Sequence, residues 1–153
     1  MLYVGMDCSI KDVAFAVSSK NVSVHYSTGL SLESDIAEYM RKANDVSYWL
    51  TSLDEDYTLL IDFTMFAMKA RQSQMRLNSL FIGCIIGIVG TDNIKLIEPL
   101  NVRKALGLKG NCEKELVYEK FNTLYPQYNI YTYTINHIQD AIVLSVLGEK
   151  GKL

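Results

Sequence analysis

Four side chains of this sequence have the types and spacing to hold a metal ion. Asp7 and Asp62 each follow a run of apolar residues, LYVGM and LLI. His137 and Asp140 stand three residues apart in front of the apolar stretch AIVLSVL, and on a helix that spacing puts them on one face. Buried, unpaired carboxylates are costly, so acids gathered at one place imply a counterion. Three carboxylates and one imidazole make a mostly oxygen site with one nitrogen. Such a set suits Mg²⁺ or Mn²⁺ better than Zn²⁺, and the nitrogen leans to Mn²⁺. Two divalent ions in a carboxylate cluster serve in-line phosphodiester hydrolysis, one activating water and the other stabilising the leaving oxygen. Read singly, the same residues have plainer roles. Each aspartate can pair with a nearby Lys or Arg or cap a helix, and His137 can be a ligand, a proton shuttle or a first-turn histidine.

The elements that must position these groups are legible in the hydrophobic pattern. Residues 2–9 read as a buried strand. Residues 12–19 and 21–29 alternate as hairpin strands do, which makes the first three strands an antiparallel meander. Residues 57–64 are apolar on both faces, as a central strand is. A fifth strand falls in NIKLIEP. Helical spacing runs through SLESDIAEYMRKANDVSYWLTSL, with Ser34 or Ser31 as its cap, and through residues 69–89. Pro99 opens a short helix closed by Gly107, and Asn111 caps another that reaches about Tyr125. In the last helix Asn136 is the expected N-cap, with Gln139 completing a capping-box pattern. His137 then lies in the first turn, where the helix dipole disfavours a protonated imidazole. The whole is a mixed sheet with helices, an α/β layer architecture.

The 153 residues make one domain (1–153) with one substantial core. With 49% apolar and 21% charged residues the chain is not disordered. Its longest apolar run, LFIGCIIGIVG, is about half of the roughly 20 residues that a membrane span needs, so it reads as a buried helix and no membrane partner is expected. There is no basic leader, and Cys8, Cys84 and Cys112 form no CxxC pair; a cytoplasmic protein with reduced thiols is expected. The net charge of −2 hides an asymmetry. Ten acids face four bases up to Thr64, and seven acids face eleven bases from Met65 on. A basic second half permits a phosphate-binding face.

Four segments, taken in order, resemble the RuvC Holliday-junction resolvases of the ribonuclease H-like nuclease superfamily. They are GMDCS (residues 5–9), LLIDFTMF (59–66) followed by a long helix, VRKALGLKGNCEKELV (102–117) and HIQDAIVLSV (137–146). The likeness spans nearly the whole chain, and the small size fits a phage-encoded or otherwise reduced member. It implies a five-stranded mixed sheet of order 3-2-1-4-5 flanked by helices. It implies Asp7, Asp62, His137 and Asp140 as ligands of two Mg²⁺ or Mn²⁺ ions per active site, and Lys114 near the scissile phosphate. Arg103, Lys104, Lys109, Lys69 and Arg71 would contact the DNA, and Met65 or Phe66 would stand where the family has an aromatic wedge; core packing is the other role open to those two. The implied activity is metal-dependent cleavage of four-way and other branched DNA junctions. The sequence departs from the family at two places. Asp62 replaces a Glu, shortening the side chain by one C–C bond of roughly 1.5 Å, and Leu108 stands at the family's first glycine, with Gly107 one residue earlier.

Two further features carry alternatives. Gly83-x-x-x-Gly87 lets another helix approach closely, either in a homodimer, as the resemblance implies, or within the fold. Tyr125, Tyr128, Tyr131 and Tyr133 can stack on bases or pack over the core. A branched-DNA-binding protein with little catalysis is the rival function. A fragment of a sugar-kinase-like ATPase would also suit GMDCS but needs a second lobe, so no nucleotide cofactor is expected.

Overall fold

The computed structural model describes residues 1–20, 22–64 and 72–153. Among these residues the strands are β1 (Leu2–Cys8), β2 (Asp12–Val17), β3 (Val22–Ser27), β4 (Tyr57–Asp62) and β5 (Ile94–Ile97). The α-helices are α1 (Ile36–Thr51), α2 (Gln72–Val89), α3 (Pro99–Ala105), α4 (Lys114–Leu124) and α5 (Asn136–Glu149). The sheet has the expected order β3-β2-β1-β4-β5. The first three strands are antiparallel neighbours, and β4 joins β1 and β5 in parallel.

Alternation along the strands sorts side chains between two helical layers. On β1, Leu2, Val4 and Met6 enter one core with Val13, Phe15, Leu59 and Ile61, beneath Tyr39, Ala43, Val46 and Leu50 of α1 and Phe81, Ile82 and Ile85 of α2. The opposite face carries Ala14 and Ala16 of β2, which pack with Val117, Tyr118 and Phe121 of α4 and Ala141, Val143 and Val146 of α5. Residues there are small because α5 lies close to the sheet. A Cβ on Gly5 would collide with the carbonyl oxygen of Ala141, and one on Gly148 would meet Leu60 and Tyr3. These contacts fix the direction of α5. Its N-terminus sits over the C-terminal end of β1, where Asp7 is.

Several helix starts differ from expectation. Asp35, not Ser31 or Ser34, caps α1: its carboxylate accepts from the Glu38 N–H at 2.8 Å while Glu38 reaches back to the Asp35 N–H. The two serines instead bond to each other across a turn. Asn111 does not cap α4, whose cap position is held by Glu113 with no side-chain bond. Asn136 is already helical, and Ile135 takes the cap position of α5. Gln139 closes no capping box. Its buried amide donates to the carbonyls of Tyr133 at 2.8 Å and Ile130 at 3.3 Å, tying down the stretch that precedes the helix. Residues 126–128 and 130–132 form two short 3-10 turns joined by Asn129 in the left-handed region, φ +38°.

In α2, Phe81, Ile82 and Ile85 face the core, while Gly83 and Gly87 face outward with open space around them. Within the described residues the glycine pair therefore serves no intramolecular packing. Tyr125 and Tyr128 pack against Phe121, ring centroids 5.2 and 6.4 Å apart, and Tyr133 is half-buried. Tyr131 is exposed. No helix among the described residues is long and apolar enough to cross a membrane.

Candidate active site

The parallel register of β1 and β4 pairs Met6 with Ile61, so Asp7 and Asp62 come next on adjacent strands. Alternation turns both away from the first core, toward α5. There they meet the first turns of that helix. His137 Nδ1 lies 2.6 Å from Asp7 Oδ2. Asp140, one turn further on, accepts from Lys114 Nζ on Oδ2 at 2.5 Å and from the Tyr118 hydroxyl on Oδ1 at 2.7 Å. Asp62 is the least satisfied of the three carboxylates: its Oδ1 is buried and has no hydrogen-bond partner among the described residues.

The charges record this crowding. Burial pushes the Asp62 carboxyl up to about 7, with the negative charges of Asp7 and Asp140 adding to the effect and Lys114 and Arg103 opposing it. Burial and Asp7 also raise Asp140, against the pull of Lys114 and Tyr118. The hydrogen bond to Asp7 raises His137 more than burial lowers it. The direction is opposite to the one expected from the start of a helix, because the Asp7 carboxylate favours the protonated imidazole. Among the described residues no three His, Cys, Asp or Glu side chains converge closely enough to hold a metal ion as they stand. His137 is hydrogen-bonded to Asp7, and Lys114 to Asp140.

Two clefts open onto Asp62. One is lined by Asp7, Asp62, His137, Ser9, Asn78 and Ser79, the other by Asp62, Asp140, Lys114, Arg103, Val102 and Pro99. Arg103 is anchored by an Nε bond to the Cys112 carbonyl at 3.2 Å, which ties α3 to the entry of α4. Lys104 and Lys109 are exposed beside it. Met65, Phe66, Lys69 and Arg71 lie outside the described residues. Two residues of the site were not singled out in the sequence. Tyr118 follows Lys114 by four residues, which on a helix places the two together. Asn78 accepts the Ile10 N–H at 3.0 Å and so braces the turn after β1; it stands among other polar residues in the first half of α2, where nothing in the sequence marks it.

No family model and no curated protein matches this sequence. Solved structures do. The chain superposes on Thermus thermophilus RuvC with a TM-score of 0.62 and 14% identity, covering 99% of this chain and 98% of that one. On T. thermophilus RuvC in complex with Holliday junction substrate the TM-score is 0.72 at 14% identity, with 99% and 97% covered. The likeness covers nearly all of both chains: the chain has the ribonuclease H-like fold of RuvC.

Proposed function

We propose that this chain is a metal-dependent, structure-selective endodeoxyribonuclease that cuts four-way and other branched DNA. The observation that carries the reading is the gathering of Asp7, Asp62 and Asp140 on the face of the sheet under α5, with a buried Asp62 oxygen that has no partner among the described residues. Asp7 and Asp140 add to the proton affinity of buried Asp62, and Asp7 to that of buried Asp140, so the site is short of positive charge, and the donor set fits hard divalent cations such as Mg²⁺ or Mn²⁺. Asp7, Asp62, Asp140 and His137 would hold two such ions, which supply Lewis-acid polarisation of a phosphoryl oxygen and a lowered pKa for water.

The chain's own groups do the rest. Lys114, once released from Asp140, is placed to meet a non-bridging oxygen of the phosphate. Arg103 lines the same cleft, with Lys104 and Lys109 beside it as backbone contacts that position the duplex arms without reading sequence. Support for branched DNA as substrate comes from the RuvC structure that holds a Holliday junction. Synthetic four-way junctions should be nicked with Mg²⁺ or Mn²⁺, and Asp7→Asn should slow this by about 10²–10³-fold, as when one preorganised electrostatic contact is lost. Linear duplex cut as fast as the junction would refute junction selectivity; cleavage surviving EDTA would refute the metal.

The outward Gly83 and Gly87, with Met40, Leu80 and Ile88 around them, suit a second copy of the chain. A twofold dimer would present two sites to the symmetry-related strands of a junction. Gly87→Arg, whose Cβ meets open space among the described residues, should turn the dimer into a folded monomer by light scattering. A parent chain that is already monomeric at tens of micromolar would remove this part of the reading. One observation favours a junction-binding protein with little catalysis instead: His137 occupies Asp7. Tight junction binding without cleavage in any divalent metal would establish that alternative.

A further inference from the structure

Asp140 differs from the other two acids in having both oxygens engaged, each by a residue of α4. Tyr118 is buried, 7% exposed, with its ring in the second core beside Val117 and Phe121. Its hydroxyl donates to Asp140 Oδ1 at 2.7 Å. Lys114 sits one turn earlier on the same face, its Nζ 5.5 Å from the centre of the Tyr118 ring and 2.5 Å from Asp140 Oδ2. The two contacts are unequal in permanence. A tyrosine held by core packing has few ways to leave, whereas the Lys114 side chain is 47% exposed and swings on a flexible stem.

We propose that Tyr118 is a positioning residue for Asp140: its hydroxyl fixes one carboxylate oxygen, so that the other is the one Lys114 and a divalent cation exchange. The inference rests on the metal-nuclease reading. It adds an order of events within α4. With Oδ1 pinned, the carboxylate keeps its orientation when Lys114 departs, and the Tyr118 ring remains beside the lysine stem as Nζ turns toward the phosphate. Outer partners that orient metal ligands typically change metal affinity by about 10–100-fold when removed.

The test is Mn²⁺ binding to the DNA-free protein, followed by calorimetry. Tyr118→Phe keeps the ring and removes only the hydroxyl. It should weaken Mn²⁺ at least about tenfold, and junction cleavage should recover most of its loss at saturating Mn²⁺. Lys114→Met should act in the opposite sense, tightening Mn²⁺ by removing the competitor for Oδ2 while slowing cleavage. A Tyr118→Phe titration that superimposes on the parent's overturns the proposal, and so does a Lys114→Met variant that binds Mn²⁺ no tighter than the parent. If the parent binds Mn²⁺ yet cuts no DNA, the nuclease reading fails and these titrations still decide the role of Tyr118. A parent that binds no Mn²⁺ overturns both.

Discussion

Adding one methyl group at Gly5 is expected to disrupt the molecule more than the same change elsewhere in β1. A Cβ there would run into backbone, the Ala141 carbonyl oxygen and the Ser145 nitrogen, and backbone cannot swing aside as a side chain can. Overpacked cores typically lose about 1–3 kcal/mol and occasionally more; a collision with helix backbone belongs at or above the upper end. For a chain of this size a loss of about 3 kcal/mol lowers the melting temperature by roughly 6–12 °C. The residue pushed away is next to Asp140, so the same shift draws His137 from Asp7 and opens the acid cluster. Gly5→Ala should therefore melt early and lose junction cleavage together. An unchanged melting temperature would mean that α5 does not press on β1 at this point.

Asp62→Asn should do the reverse to stability while also abolishing cleavage. In the metal-free protein Asp62 holds its proton up to about pH 7, whereas in the unfolded chain it ionises near 3.9. Between those values the native state binds the extra proton, so this group's contribution to stability is intact below about pH 4 and is lost as pH rises through 7. Asparagine carries no charge to bury. Urea unfolding in EDTA should show the variant more stable than the parent at pH 8, by on the order of 2–4 kcal/mol, with the gap closing toward pH 4. A divalent cation should relieve the parent in the same way, by about 2.7 kcal/mol at a hundred times its Kd, and help the variant far less. A stability gap that does not change with pH would contradict the burial of an ionised Asp62.

Two features of the site had weak signals in the chain. Tyr118 is spaced to meet Lys114, but the spacing does not say which carboxylate the pair will face. Cap positions are ambiguous in the chain because several residues compete for one place: Ser31, Ser34 and Asp35 all precede α1, and only Asp35 has Glu38 three residues on to complete a reciprocal pair. Asn136 likewise looked like a cap, but Gln139 is bound to the carbonyls of Tyr133 and Ile130, so the box never closes.

The one-dimensional pattern determined a great deal. The strand order was implied by the resemblance, whereas the apolar runs themselves put Asp7 and Asp62 at strand ends, and helical period put His137 and Asp140 on one face of their helix. Those properties are local, set by backbone geometry that any chain with this pattern shares. Tertiary structure alone decided which charges meet. The absence of a Cβ at Gly5 lets α5 settle on β1, and that close approach brings His137 to Asp7, Lys114 and Tyr118 to Asp140, and leaves one buried Asp62 oxygen without a partner among the described residues. Contacts between residues 22 to 130 positions apart depend on how layers pack, and no periodicity in the chain encodes a distance across them.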